Sequence, residues 1–483
     1  PDKIGIELQG GKLGLAILQG REYATGSEPL AVNADALTWT TLEAEVDSAA
    51  LVGIDGITLT ADSVDVAINQ VDGLSAGMDS ANYVVDYNQD ETNVEIPLGP
   101  SQSGPGAEVR TLGIAGDRGE LLRVSGAFDI GLGGFLSATG QMGLERSTRS
   151  LVTANGQQVR TEVLAIGGSN ISGFAGVNGP APDQLEDIVN QNANLPSDAV
   201  GFLLSDLDFA VALASAEVDL DYDVSGSGNL QTLSWTAVEA EAAGAELVGF
   251  EDDVLKAGIS NSLVEYNSVA YAGDALVPPA LDTDAWVLDL EALPIDVVTG
   301  TGNSRLMDID GAEGELIRVL TDVDLNIANY LQVSGSLGFV QRTETVTLSD
   351  ATQSDPATEL DMNVLAIGAT NLSGFAGANG GTENAVGFAL EDLELALSIM
   401  SIDADDPAAG DYAGYRWISA EANAGLATAQ GIPGVTLDIA NAELAVNQVF
   451  DGDAQAADDQ VVNFAGAGNA LSVQTGLTTS RDI

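Results

Sequence analysis

The chain has 483 residues, 45% of them apolar, and contains neither histidine nor cysteine. This excludes Ser-His-Asp and Cys-His nucleophiles, zinc sites built on imidazole or thiolate, and haem or iron–sulfur ligation through those residues. With 73 acidic against 15 basic residues the formal net charge is -58, a surface that repels nucleic-acid phosphates and anionic headgroups and gains from screening salt.

Taken in chain order, the first legible element is residues 4–19, IGIELQGGKLGLAILQ, followed by a tryptophan segment around Trp39, LTWTTLEAE. Asp55-Gly56 marks a turn, and a block ending INQ closes at Gln70. After GELLR (119–123) come SATGQMGLERST and then VLAIGGSNISGFAGVNG (163–179). The same phrases then return. VGFLLSDLDFAVALAS (200–215) is followed by LSWTAVEAE around Trp235, GELIR (314–318), QVSGSLGFVQRT and VLAIGATNLSGFAGANG (364–380). They start a third time with VGFALEDLELALSIMS (386–401), YRWISAEAN around Trp417 and a block ending VNQ at Gln448. The 200–215 and 386–401 blocks agree at eight of sixteen positions, and the 163–179 and 364–380 blocks at thirteen of seventeen. The chain therefore divides into copy one (1–199), copy two (200–385) and a partial copy three (386–483). Both ends fall inside a repeat, and the expectation is that the array continues on one or both sides.

Each copy reads as strand. Phe388, Leu390, Leu393, Leu395 and Leu397 follow period two on either side of an offset at Glu391-Asp392, which predicts a bulge or tight turn. The Ala-rich stretch 237–249 has helical propensity, but it repeats the pattern of LEAEVDSAALVG in copy one, so it is expected to be a strand. Gly, Asp, Asn and Ser punctuate runs of five to eight residues, as strand-and-turn chains do. The expected fold class is all-β: an elongated repeat architecture stacked as a β-solenoid or β-helix, with tandem β-sandwich domains as the alternative.

Several segments invite a functional reading. Gly73-Leu74-Ser75-Ala76-Gly77 matches a nucleophile elbow, but without histidine it reads as a turn. Asp308, Asp310, Glu313 and Glu315 superficially resemble a calcium loop, although the acidic spacing is incomplete and copy one keeps only Asp117 and Glu120 there. Asp403, Asp405, Asp406 and Asp411 gather within nine residues, and they are the candidate metal ligands, for Ca²⁺, because hard cations want converging carboxylates. Asp451, Asp453, Asp458 and Asp459 form a second acidic cluster. Asn170 and Asn371 head glycosylation sequons at equivalent positions, or else are β-turn asparagines tolerating a left-handed backbone. Trp39, Trp235 and Trp417 read as one repeated core position, the alternative being exposed rings for glycan stacking.

The repeated VLAIG-N-SGFAG-NG and VGF-L-DL-LAL phrases resemble repeat modules of giant secreted bacterial surface proteins, long acidic cysteine-free arrays with adhesive or calcium-binding ends. The GGxGxDxUx nonapeptide of calcium-binding β-rolls is absent, so that family's calcium sites do not carry over. The resemblance implies a structural protein at the cell surface, a stalk or self-assembling fibre, with neighbouring copies as partners; the missing histidine and cysteine and the alike copies lead to the expectation of no enzyme, and no apolar run approaches the length of a membrane span. The alternatives are a calcium-dependent carbohydrate-binding adhesin module and a carboxylate-based glycan-processing β-helix enzyme.

Overall fold

A computed structural model of the chain describes residues 5–20, 37–54, 56–74, 82–88, 94–98, 108–219, 230–251, 254–272, 283–349, 359–402, 412, 414–450, 460–465 and 470–483. Copy one comprises β1 (Gly5–Gln19), β2 (Thr38–Val52), β3 (Ile57–Asp72), the short β4 (Glu95–Pro97) and β5 (Val109–Thr111), then β6 (Leu121–Leu132), β7 (Leu136–Val152), β8 (Gln158–Val177) and helix α1 (Pro182–Val189). Copy two comprises β9 (Val200–Asp219), β10 (Leu230–Val248), β11 (Leu255–Ala272), the short helix α2 (Thr283–Trp286), β12 (Ile295–Gly300), β13 (Asn303–Met307), β14 (Leu316–Ile327), β15 (Leu331–Thr347) and β16 (Glu359–Ala378). Copy three adds β17 (Val386–Ser401), β18 (Arg416–Gln430), β19 (Asp438–Phe450), β20 (Ser472–Gly476) and β21 (Thr479–Asp482).

The fold is all-β. Fifteen strands form one sheet in the order β1-β2-β3-β6-β7-β8-β9-β10-β11-β14-β15-β16-β17-β18-β19. Every neighbouring pair is antiparallel, and each strand pairs with the next sheet strand along the chain. The expected solenoid of stacked rungs is therefore not the form that the described residues take. Antiparallel pairing of successive strands adds the repeats side by side into one sheet. The sandwich alternative fails on the same ground, because the remaining described strands form only two-stranded hairpins, β4–β5, β12–β13 and β20–β21.

Register assigns the two faces. Trp235 pairs with Ala214 on β9 and Val269 on β11, and directly paired residues share a face. One face is covered. The described segment after the third sheet strand of each copy crosses it as a strap, and α1 packs on its far end through Leu185 and Ile188 against Phe174 and Leu203. The largest core lies beneath the straps and includes Trp235, Trp417, Leu288, Leu290 and Ile295. On the opposite face no element of the described residues packs.

Bulges interrupt the strands near mid-length. Ser63, Asn170, Asp206, Asn261, Asn371, Asp392 and Asn441 have φ between 47° and 54°, and the ladders shift register beside several of them. Each inserts one extra residue, so the alternation resumes with opposite parity. The offset expected at Glu391-Asp392 is such a bulge. Helix α1 was not anticipated: Pro182 at its start and buried Leu185 and Ile188 one turn apart are helix signals that the surrounding strand pattern masked.

Candidate functional site

The covered face is built by one device used three times. The indole Nε1 of Trp39 donates to Tyr83 O at 2.5 Å, that of Trp235 to Trp286 O at 2.6 Å and that of Trp417 to Gln460 O at 2.9 Å. One strand away, the side-chain amides of Asn69, Asn267 and Asn447 donate to Val85 O, Leu288 O and Val462 O, each at 2.8 Å. Each strap is thus pinned at two carbonyls two residues apart. The shared environment expected for the three tryptophans is what the structure shows. Trp235 and Trp417 are buried beneath the straps, which removes the exposed-ring reading for them, and Trp39 is half-buried.

Beyond the pins, each strap carries an arginine to a glutamate four residues after the tryptophan. Arg110 meets Glu43 at 3.6 Å and Glu45 at 3.3 Å. Arg305 meets Glu239 at 2.6 Å and Glu241 at 2.9 Å. Arg481 meets Glu421 at 3.5 Å and Glu394 at 2.8 Å. The glutamate of each GEL-R phrase also has a fixed role: Glu120 accepts from Val71 N and Glu315 from Val269 N, both at 3.2 Å.

The straps do not stay within their own copies. Strand β12 of copy two lies over Gly143 and Gly167 of copy one, where an added Cβ would fall 2.3 and 2.6 Å from Val298 O. Strand β20 of copy three lies over Gly338 and Gly368 of copy two, where a Cβ would fall 2.2 and 2.1 Å from Gln474 O. A glycine is needed at these four positions because the backbone of the strap occupies the space of a side chain. An ion-pair network extends the first seam. Glu145, 1% exposed, accepts from Arg118 at 2.6 Å, Arg123 at 2.9 Å and Arg149 at 2.5 Å, and Arg118 reaches Asp296 of copy two at 3.3 Å. Burial raises the Glu145 pKa, but the three guanidiniums outweigh it and hold the carboxyl below its ordinary range. In copy two Val340 replaces Glu145 in the ladder, and Arg318 turns instead to Glu265 and Glu313.

Between the strap of copy one and hairpin β12–β13 lies an open cleft of about 560 Å³, lined among others by Glu43, Asp65, Arg110, Arg118, Arg123 and Asp296. Burial, with Glu45 and Glu43 nearby, raises the Asp65 carboxyl. Most of the charged groups here already have partners, so the walls are polar and charge-balanced.

The acidic clusters legible in the sequence fall in different places. Asp403, Asp405, Asp406 and Asp411, the candidate Ca²⁺ ligands, lie outside the described residues, as do Asp451, Asp453, Asp458, Asp459 and Ser75. The 308–315 loop is described and three of its four carboxylates are occupied: Asp310 accepts from Ala312 N at 2.8 Å, Glu313 pairs with Arg318 and Arg342, and Glu315 accepts from Thr283. Among the described residues no group of three or more His, Cys, Asp or Glu is placed to hold a metal ion. Asn170 and Asn371 both have φ 51°, the left-handed backbone expected of them, within bulges and not turns. The straps themselves are not legible in the sequence, because the residues that pin them are 15 to 51 positions from their carbonyl partners. The recurrence of Trp, Glu and Asn in all copies was the available signal. The chain matches no protein-family model and no curated protein sequence.

Proposed function

We propose that this chain is a structural module of an extracellular, cell-surface repeat array, a stalk or self-assembling fibre, with no catalytic role. The observation that carries the reading is the interlocking of copies: each described seam has a strap pinned by Trp and Asn of one copy and seated on glycines of the copy before it. Neighbouring copies already share the β8–β9 and β16–β17 ladders. A strap straddling the seam couples them, as nearest-neighbour interfaces do in repeat proteins, and this suits a spacer that bears tension. The extreme acidity and absence of cysteine fit a salt-rich exterior. The charge-balanced cleft gives the glycan-binding alternative its one foothold.

The test is cooperativity. Gly143→Val with Gly167→Val unseats β12 without touching the pins. Equilibrium urea unfolding followed by tryptophan fluorescence is expected to change from one transition to two, with the first midpoint lowered. A single unchanged transition in the variant refutes coupling through the straps.

A further inference from the structure

Along the middle of its strands the uncovered face of the sheet is apolar, with the Arg146–Glu162 ion pair beyond that band, and its relief recurs between copies. On β17 it presents Leu390, Leu393, Leu395 and Leu397, directly paired on β18 with Ala427, Ala424, Ala422 and Ala420. The preceding copy repeats the pairing on β9 and β10: Leu204 faces Ala245, Leu207 faces Ala242 and Phe209 faces Ala240. Copies two and three therefore each carry a ridge of large side chains beside a furrow of small ones, whereas in copy one Leu13 faces Ala44 but Leu15 faces Leu42. The intervening charged residue Glu394 points to the other face, where Arg481 of a strap meets it. The face is open: Phe388 is 56% and Phe202 61% exposed, and α1, β12 and β20 all pack on the opposite side.

We propose that a second copy of this chain covers this face, sheet against sheet, with the ridges of each copy in the furrows of the other. Three observations favour this occupant. The first is shape, since the same surface supplies both the ridge and the furrow it needs, which is what a self-complementary two-fold interface requires. The second is area. Fourteen strand spacings of about 4.8 Å, by an apolar band of about 26 Å, give a footprint of roughly 1,700 Å², against the ~800 Å² per partner of a standard stable interface. The third is charge. The molecule's formal charge of -58 disfavours any approach of two copies except through a neutral surface, and the ridge and furrow rows carry no ionised group. Two sheets meeting here pack about 10 Å apart with their acid on the outer sides. An acyl-chain surface would match the apolarity alone, and its anionic headgroups would meet the acidic margins.

This pairing deepens the scaffold reading, yet the two are separable: strap coupling is a property of one chain and face pairing of two. Sedimentation velocity of the whole chain, over a concentration series at 0.15 M and 1 M NaCl, should show a dimer that strengthens with salt. Leu395→Glu with Phe209→Glu should give a monomer that keeps its strand circular dichroism and melting midpoint, because both side chains project from the open face. Should that variant not fold, the cysteine-free background offers a second measurement. A mixture of Leu395→Cys and Ala422→Cys chains, treated with a short bismaleimide, should cross-link ridge to furrow. A monomer at every concentration and salt, or a dimer indifferent to the charged substitutions, would overturn the proposal. So would binding to phosphatidylcholine vesicles by a chain that never dimerises.

Discussion

At the scale of single residues, the three copies act as a natural mutation series. Thr41 donates to Asn69 Oδ1 and Ser419 to Asn447 Oδ1, both at 3.1 Å. The equivalent residue in copy two is Ala237, and Asn267 Oδ1 is left without a hydrogen-bond partner among the described residues. An unsatisfied buried acceptor costs about 1–3 kcal/mol, and a buried hydrogen bond returns a net of about 1 kcal/mol. Ala237→Ser is therefore expected to stabilise the chain by about 1 kcal/mol, read as a raised midpoint in urea unfolding. Ser419→Ala should cost about 1–3 kcal/mol by making copy three resemble copy two. A destabilising Ala237→Ser would show that the site cannot hold a hydroxyl and that the orphaned oxygen has another explanation.

At the scale of elements, Glu145 joins three pieces of structure: its own strand β7, the neighbouring β6 through Arg123, and the strap of copy one through Arg118. Its carboxyl is held below the ordinary 4.5, so its stabilisation is fully present above the unfolded value and is lost as pH falls through the lower folded one. Glu145→Gln leaves three guanidiniums without their shared counter-charge. The expected cost near neutral pH is about 3 kcal/mol or more. As pH falls below the ordinary carboxylate range the gap from the parent chain should narrow, because the parent's Glu145 also becomes neutral. Melting the two proteins across pH 3–7 checks this, and a gap that does not change with pH would remove the ion network as its cause. Much at this scale was legible. Period two in VGFALEDLELALSIMS placed β17 and its bulge, and recurrence of the LEAE pattern outweighed the helical propensity of the Ala-rich 237–249 strand. The partners of Glu145 were not legible, since Arg118 and Arg123 stand 27 and 22 positions away and are brought together only by register. Nor did periodicity distinguish a stack of rungs from one antiparallel sheet, because both demand alternation. Runs apolar on both faces, such as Leu164 and Ile166 beside Val163 and Ala165, suit either.

For the whole molecule the governing quantity is charge. Two like charges about 10 Å apart in water repel by ~0.4 kcal/mol, and a net -58 sums this over many neighbours. The Debye length shrinks from about 30 Å at 0.01 M salt to about 8 Å at 0.15 M, so salt should relieve most of the self-repulsion that folding concentrates. The buried ion pairs at Glu145 and Arg318 are screened far less than exposed charges and do not offset the gain. The melting midpoint is accordingly expected to rise by several degrees between 10 mM and 0.5 M NaCl. CaCl₂ at matched ionic strength separates screening from binding. If the acidic segment holding Asp403, Asp405, Asp406 and Asp411 takes up Ca²⁺, the midpoint rises further than with NaCl, by the ~2.7 kcal/mol that mass action gives at a hundredfold excess over the dissociation constant, and EDTA reverses only that increment. Equal midpoints in the two salts leave charge screening as the whole effect and remove calcium from the account of this chain. A midpoint that falls with NaCl would mean that the exposed ion pairs stabilise the fold more than the surplus acid strains it.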